Sequence, residues 1–377
     1  MDQITSLARP DIYALTPYSS ARTEGGQDAA ILLDANENPY PPWPADEGVA
    51  GFNRYPEPQP AALLDLLAER YDCPRQRLFL SRGADEAIDL LVRAFCAAGT
   101  DGVMIAPPSF AMYPMAARIQ GAAVHHVPLL PPDRPGTGGQ QRFRLDVPAM
   151  VAAQTDHPTI KLVFVCSPNN PTGCLMERDA ILELAERLLG RSLVVVDELY
   201  LDYSGAPSLA SALDHHPNLV VLRSLSKEYS LAGERIGAAI AHPETVAILR
   251  RVMAPYSLTV SSIRSAVAAL SPEGAARGRA NIATIVAERE RVASELAGRA
   301  GVRRVYHSDA NFLLVEVDDP AGLVAAMEAA GIKIRNRSGE VVGTVRISIG
   351  RPEENDAMLA VLSPRGAADD QRRRSLH

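Results

Sequence analysis

The sequence of 377 residues lacks several features that define particular classes of protein. It has no run of about 18 apolar residues that would predict a membrane-spanning helix, and its first residues lack the apolar core of a signal peptide. Its four cysteines show no CxxC spacing, which predicts free thiols of a reducing compartment. The net charge of -7 argues against nucleic acid as a partner, because phosphate backbones attract basic surfaces. Together these absences predict a soluble cytoplasmic protein.

Short apolar runs alternate with helical patterns along the middle of the chain. With 47% hydrophobic and 22% charged residues, the composition is that of a globular protein with room for a second domain. From about residue 55 to 255 the alternation predicts an α/β layer with a doubly wound, mostly parallel sheet. Beyond it, a long helical pattern near residues 282–296 and shorter strands predict a smaller α+β domain. The large-domain strands are expected at residues 78–80, 103–105, 162–165, 193–196 and 219–222.

This organisation predicts four segments. Residues 1–50 are rich in proline, and they form an N-terminal arm and small-domain segment that other parts of the fold or a partner subunit must hold. Residues 51–255 form the large domain, which carries the chemistry. Residues 256–362 form the small C-terminal domain. Residues 363–377, rich in glycine, aspartate and arginine, are predicted to be a disordered tail.

Two of the predicted strands lead into residues that can carry chemistry. Asp197 follows the run 193–196 directly, and Lys227 lies five residues after the run 219–222. Sites in open α/β sheets lie beyond the carboxyl ends of the strands. A carboxylate and an amine at one sheet edge suit a pyridoxal phosphate enzyme, because the amine forms a Schiff base and the carboxylate keeps the pyridine nitrogen protonated. The alternative is an aspartate that caps a helix and a lysine on a solvated loop.

A phosphate site is predicted where the first strand of the large domain meets a helix. The small residues of the turn Ser81-Arg82-Gly83-Ala84-Asp85-Glu86 leave backbone N–H groups free at the helix N-terminus, where the helix dipole favours an anion. Arg235, eight residues after Lys227, supplies a planar cation that suits a phosphate. An ordinary strand-to-helix connection is the alternative.

Four more residues are candidates for the same site. Phe110 follows a predicted strand, where an aromatic ring either stacks on a flat cofactor or fills the core. Asn170 lies in a turn, residues 166–173, whose prolines and glycine predict a rigid loop with amides that face the sheet edge. Arg335 follows the segment Ile332 to Ile334, and Arg346 lies inside a strand pattern. A buried arginine needs a partner, so Arg346 either pairs with an internal carboxylate or faces a pocket for anionic substrates.

Taken in order, these motifs make the chain resemble the fold-type I pyridoxal phosphate aminotransferases over nearly its whole length. Within that family it is similar to the histidinol-phosphate aminotransferases. The resemblance implies a homodimer with shared active sites and pyridoxal 5'-phosphate as cofactor. The motifs that carry it are Asn53-Arg54-Tyr55-Pro56, Ser81-Arg82-Gly83-Ala84-Asp85-Glu86, Cys166-Ser167-Pro168-Asn169-Asn170-Pro171-Thr172-Gly173, Asp197-Glu198-Leu199-Tyr200, and Ser224-Leu225-Ser226-Lys227 with Arg235.

The resemblance also implies a role for each site residue. Lys227 is expected to hold the cofactor covalently and to move a proton, and Asp197 to pair with the pyridine nitrogen. Asn170 and Tyr200 are expected to donate hydrogen bonds to the ring oxygen, and Phe110 to stack on the ring. The residues expected to be catalytic are Lys227, Asp197 and Tyr200. The phosphate is expected to be held by Gly83, Ala84, Asp85, Ser224, Ser226, Arg235 and, from the neighbouring subunit, Tyr55. Substrate is expected to bind Tyr18, Asn170, Arg335 and Arg346.

The reaction that the resemblance implies is amino transfer between L-histidinol phosphate and 2-oxoglutarate, giving imidazole acetol phosphate and glutamate in histidine biosynthesis. Two alternatives share the fold, namely an aromatic or broad-range aminotransferase and a phosphothreonine decarboxylase-like enzyme. A non-catalytic sensor of the cofactor is a third. No metal and no membrane partner is predicted. Three residues depart from the family pattern and add bulk or negative charge near the cofactor, namely Leu199, Glu228 and Glu234.

Overall fold

The computed structural model describes residues 3–17, 35–40, 51–133 and 141–363. The strands are β1 (Leu78–Ser81), β2 (Gly102–Ile105), β3 (Ala123–His126), β4 (Ile160–Cys166), β5 (Leu193–Asp197), β6 (Leu219–Ser224), β7 (Gly237–Ala241), β8 (Val302–Val305), β9 (Phe312–Val317), β10 (Arg335–Asn336) and β11 (Thr344–Ser348). The α-helices are α1 (Pro10–Tyr13), α2 (Ala61–Arg70), α3 (Gly83–Phe95), α4 (Met112–Gln120), α5 (Val147–Asp156), α6 (Arg178–Arg187), α7 (Leu225–Glu228), α8 (Pro243–Val252), α9 (Val260–Leu270), α10 (Pro272–Ala297), α11 (Pro320–Ala329) and α12 (Pro352–Ala360).

Seven strands form the large sheet in the order β1-β7-β6-β5-β4-β2-β3. All run in one direction except β7, which pairs antiparallel with both β1 and β6. Alternate residues of β5 enter different apolar layers, because Val194 and Val196 pack into one core cluster and Val195 into the other. Burial on both faces explains why these strands are continuous runs of apolar residues. The prediction of a doubly wound, mostly parallel sheet is confirmed.

Four antiparallel strands form a separate small sheet in the order β10-β11-β9-β8. Its own apolar core includes Val315, Val345 and, from α10, Val292. Helix α10 has 26 residues and begins earlier than the apolar pattern predicted. Ser271 caps its first turn, because the Ser271 hydroxyl accepts a hydrogen bond from the backbone N–H of Gly274 at 3.2 Å. This second unit matches the predicted small α+β domain, and the exact domain boundaries stay a prediction.

The register of the large sheet brings several strand ends to one edge. Cys166 of β4 lies opposite Asp197 of β5, and Ser81 and Ser224 both lie opposite Gly237 of β7. The polar residues that follow β1, β4, β5 and β6 therefore meet at the carboxyl edge. The predicted tail comprises residues 363–377, of which residues 364–377 lie outside the described part of the chain. No helix in the described part of the chain is long and apolar enough to cross a membrane.

Candidate active site

Lys227 is placed by a tight turn at the end of β6. The Ser224 hydroxyl accepts a hydrogen bond from the backbone N–H of Ser226 at 3.1 Å and so begins the short helix α7. Burial lowers the pKa of Lys227, and the positive charges of Arg346 and Arg235 lower it further. An amine with a lowered pKa loses its proton more readily and becomes a nucleophile. The lowered pKa of Lys227 suits the role that was predicted for this residue.

Asp197 ends β5 as a buried carboxylate held by two donors. Its Oδ2 accepts a hydrogen bond from the Tyr113 hydroxyl at 2.6 Å, and its Oδ1 accepts one from the backbone N–H of Leu199 at 3.2 Å. Burial raises the pKa of Asp197 to about 6, although both hydrogen bonds oppose that rise. A carboxylate in this apolar position is suited to pair with a protonated ring nitrogen. Nothing in the sequence pattern pointed to Tyr113.

The turn at the start of α3, where a phosphate site is predicted, lies against the side chain of Arg235. A Cβ atom on Gly83 would lie 2.5 Å from Nη2 of Arg235, so the guanidinium lies directly over this turn. The same Nη2 donates to Oδ2 of Asp85 at 3.0 Å. The buried Oγ of Ser226 has no hydrogen-bond partner among the described residues. A hydroxyl with no other partner and a guanidinium are both groups that can bind an anion, so Ser226 and Arg235 fit the predicted phosphate site.

Two neighbouring asparagines join the loops around the site. Asn169 donates from Nδ2 to the Pro108 carbonyl oxygen and to the Thr172 hydroxyl, both at 2.9 Å, and so ties the loop before Phe110 to the loop after β4. Asn170 accepts a hydrogen bond on Oδ1 from Nη1 of Arg346 at 2.5 Å. Asn170 therefore connects the large domain to a strand of the small domain. Asn169 was not among the predicted site residues.

The predicted substrate arginines lie on adjacent strands of the small sheet. Arg335 of β10 is directly opposite Arg346 of β11, so both side chains leave the same face of the sheet. Arg337, two residues after Arg335, follows the same alternation and donates from Nη1 to Oε1 of Glu340 at 2.8 Å. Burial lowers the pKa of Arg346, and the charge of Arg337 lowers it further. Like charges placed this closely favour the binding of an anion.

The aromatic residues predicted for the site have defined packing partners. Phe110 packs edge-on against Tyr113, with ring centroids 5.6 Å apart. Tyr200 packs edge-on against Phe312 at 5.2 Å, and the Arg346 guanidinium lies over the same Phe312 ring at 5.3 Å. Burial raises the pKa of Tyr200, so its hydroxyl stays protonated and can act as a donor. Phe110 therefore contacts the tyrosine that donates to Asp197, and Tyr200 contacts the ring over which the Arg346 guanidinium lies.

Two predicted residues belong to the N-terminal part of the chain. The side chain of Tyr55 is half-exposed, and its ring stacks on Tyr256 with centroids 4.4 Å apart. Its backbone N–H donates to Oε1 of Glu37 at 2.7 Å. Contact between Tyr55 and a second subunit stays a prediction. Tyr18 lies outside the described residues.

Glu228 follows Lys227 in the sequence, and Glu234 precedes Arg235. Both carboxylates accept hydrogen bonds from other residues. The carboxylate of Glu228 accepts hydrogen bonds from Arg70 at 3.0 Å, Arg223 at 3.3 Å and the Tyr71 hydroxyl at 3.1 Å. Glu234 accepts one from the Ser265 hydroxyl at 2.9 Å. Leu199, the third departure, packs against the core of the large domain. The extra charges are thus bound by protein groups.

Comparisons with known proteins identify the family to which the chain belongs. The family model for aminotransferase class I and II matches residues 30–362, and the chain belongs to that family. It is 46% identical to the histidinol-phosphate aminotransferase of Stenotrophomonas maltophilia over 98% of this chain and 99% of the relative. It is 43% identical to the protein of the same name from Xylella fastidiosa, over 95% of this chain and 96% of the relative.

Solved structures show the same fold. The histidinol-phosphate aminotransferase of Clostridium acetobutylicum aligns with a TM-score of 0.73 at 21% identity, over 84% of this chain and 92% of that one. The Sinorhizobium meliloti enzyme of the same name, solved in complex with pyridoxal-5'-phosphate, aligns with a TM-score of 0.72 at 23% identity, over 83% of both chains. The chain is therefore an aminotransferase with the α/β fold that the sequence predicted.

Proposed function

We propose that this aminotransferase transfers the amino group of L-histidinol phosphate to 2-oxoglutarate with pyridoxal 5'-phosphate as cofactor. The observation that supports it most is the partner of Arg346. Among the described residues no carboxylate forms an ion pair with Arg346, and its guanidinium donates to the neutral amide of Asn170. Of the two interpretations left open by the sequence, this favours the anion pocket. One pocket must accept the substrate phosphate and the carboxylate of 2-oxoglutarate in turn, and guanidinium groups bind both.

Different residues of the chain would bind the cofactor and move the proton. Pyridoxal 5'-phosphate, when bound, supplies an electron sink for negative charge that develops on the substrate carbon. Ser226, Arg235 and the N-terminus of α3 would hold its phosphate, and Asp197 would hold its ring nitrogen. Lys227 would attach it and then accept a proton from the substrate and return it to a neighbouring carbon. The lowered pKa of Lys227 suits both tasks, since the amine must spend part of each cycle unprotonated.

The names of the relatives support this substrate, because several of them at 41 to 46% identity are called histidinol-phosphate aminotransferase. The cofactor is supported by the match to the aminotransferase family and by the complex of the Sinorhizobium meliloti enzyme. We also propose a homodimer in which Tyr55 reaches the phosphate of the neighbouring subunit. The half-exposed ring of Tyr55 is consistent with such a contact. The four cysteines are free thiols, which supports a cytoplasmic location.

The test begins with the attachment of the cofactor. The chain has only three lysines, Lys161, Lys227 and Lys333. Borohydride reduction of the loaded protein, followed by peptide mass mapping, is expected to find the cofactor on Lys227 alone. L-histidinol phosphate is then expected to remove the visible absorbance of the unreduced protein, and 2-oxoglutarate to restore it. Label on another lysine, or absorbance that histidinol phosphate leaves unchanged, would contradict the proposal.

A further inference from the structure

Tyr113 and Asp197 form a buried pair at the centre of the site, although they are 84 positions apart in the chain. The Tyr113 side chain is fully buried and Asp197 is 3% exposed. The distance of 2.6 Å between the Tyr113 hydroxyl and Oδ2 of Asp197 is that of a strong charge-assisted hydrogen bond. Burial and the charge of Asp197 raise the pKa of Tyr113, so the hydroxyl keeps its proton and is the donor. The direction of this hydrogen bond is therefore fixed.

The Tyr113 ring is itself held between two other rings. It stacks on Phe164 of β4 with centroids 4.8 Å apart and an interplanar angle of 7°, and it meets Phe110 edge-on at 5.6 Å. Phe110 is the ring expected to stack on the cofactor. Tyr113 thus contacts both groups that are expected to contact the pyridine ring, namely Asp197 through its hydroxyl and Phe110 through its ring.

We propose that Tyr113 is a positioning residue that aims the Asp197 carboxylate at the ring nitrogen of pyridoxal 5'-phosphate and keeps it ionised. The proposal rests on the proposed function, since it requires that cofactor. Each oxygen of Asp197 has one donor, Tyr113 on Oδ2 and the Leu199 N–H on Oδ1. A carboxylate has about four sites for hydrogen bonds, so Asp197 can still accept one from the protonated ring nitrogen. The two donors fix its orientation before the cofactor arrives.

Ionisation is the second part of the role. A hydrogen bond to the charged form of a carboxylate favours that form, whereas burial disfavours it. At Asp197 burial is the larger effect, so the loss of a donor would leave more of the carboxyl protonated near neutral pH. A protonated Asp197 cannot pair with a protonated ring nitrogen. The titratable groups around Asp197 are Tyr113 on α4, Cys166 at the end of β4, Asp85 on α3, Glu198 and Tyr200.

The test is the affinity of the apoprotein for pyridoxal 5'-phosphate as a function of pH, measured by fluorescence titration. Tyr113→Phe keeps both ring contacts and removes only the hydroxyl. We expect its dissociation constant at neutral pH to rise about 10- to 100-fold, the effect of losing one hydrogen bond to a charged group. We also expect the pH below which the affinity falls to move upward by about one unit. Tyr306→Phe is the matched control, because it removes a hydroxyl that donates to the Glu316 carboxylate at 3.2 Å, in a position without a proposed role.

A double-mutant cycle shows whether the hydroxyl acts through Asp197. In the Asp197→Asn background, Tyr113→Phe is expected to change the cofactor affinity less than about threefold and to leave its pH dependence unchanged. Wild-type affinity and pH dependence in the single variant would overturn the proposal, and so would an equal loss in both backgrounds. If the wild-type protein itself does not bind pyridoxal 5'-phosphate, the proposed function is wrong. If the wild-type protein binds it and Tyr113→Phe binds it equally well at every pH, only the proposed role of Tyr113 is wrong.

Discussion

The proposed recognition of anionic substrates depends most on Arg346. Its neighbours Arg335 and Arg337 add positive charge, and Asn170 orients it through a neutral amide oxygen. A planar guanidinium can form two parallel hydrogen bonds with a carboxylate or a phosphate, whereas an ammonium group acts as a point charge. The geometry of this side chain, and not its charge alone, should therefore decide how well the substrates bind.

We expect Arg346→Lys to lower kcat/KM for L-histidinol phosphate and for 2-oxoglutarate about 10- to 100-fold, because one charge-assisted hydrogen bond is lost. The visible absorbance of the bound cofactor should stay unchanged. Steady-state kinetics with both substrates measures the effect. Arg351→Lys is the control, because Arg351 is 72% exposed and pairs with Glu354 on α12. Unchanged kinetics in Arg346→Lys would show that the anions bind elsewhere.

Single residues also show the limit of what the sequence could predict. Lys227, Asp197 and Arg235 follow strands or lie at motif spacings. In the structure the charge of Arg235 acts on Lys227, and the charge of Asp85 acts on both Lys227 and Asp197. Tyr113 could not be found in this way, because its contact with Asp197 joins distant parts of the chain and leaves no local pattern. Arg337 could have been found, since residues two apart on a strand share a face and Arg335 was already a candidate.

The elements that matter most to the site are the short connections that follow β1 and β6. Both strands end opposite Gly237, so the start of α3 and the start of α7 lie side by side. Periodicity and turn residues predicted most of the parallel strands, but they did not reveal β7. Its sequence Gly-Ala-Ala-Ile-Ala has little strand propensity, and its pairing with β1 and β6 determines its conformation. The antiparallel strand could not have been inferred from local signals.

A substitution in the turn at Gly83 tests the proposed phosphate site. Gly83 has a φ of +74°, and an added Cβ would meet Nη2 of Arg235 at 2.5 Å. Gly83→Ala should displace the guanidinium and weaken cofactor binding at least tenfold, measured by titration of the apoprotein. Gly99→Ala is a matched control, because Gly99 has a φ of +72° and no described atom within 4 Å of an added Cβ. Both variants should lose about 1–2 kcal/mol of stability from backbone strain, and only Gly83→Ala should bind the cofactor more weakly. Equal cofactor affinity in the two variants would contradict the phosphate site.

At the scale of the whole molecule, the proposed active site contains residues of both domains. The hydrogen bond from Arg346 to Asn170 joins the two sheets, and the charge of Arg346 acts on Lys227. The resemblance predicted both residues for the site, but only the structure shows that they form a hydrogen bond. The proposed contact between Tyr55 and the cofactor phosphate of the neighbouring subunit requires two chains.

Hybrid dimers test whether Tyr55 serves the neighbouring subunit. One subunit carries Lys227→Ala and the other Tyr55→Phe, and two different affinity tags isolate the mixed dimer. If Tyr55 crosses the interface, the mixed dimer contains one fully intact site and should show about half of the wild-type activity. If Tyr55 acts within its own subunit, no site is intact and the activity should stay at or below that of Tyr55→Phe. Tyr55→Phe alone should weaken the cofactor phosphate contact about tenfold.

The most direct measurement is the rate at which different amines remove the visible absorbance of the cofactor-loaded protein. L-histidinol phosphate is predicted to react at least about 100-fold faster than L-histidinol, because only the phosphate ester engages the arginines of β10 and β11. A comparable or faster reaction with L-phenylalanine would contradict the proposed function and indicate a general aminotransferase. Release of carbon dioxide from phosphothreonine would indicate a decarboxylase, and no reaction with any amine would indicate a sensor.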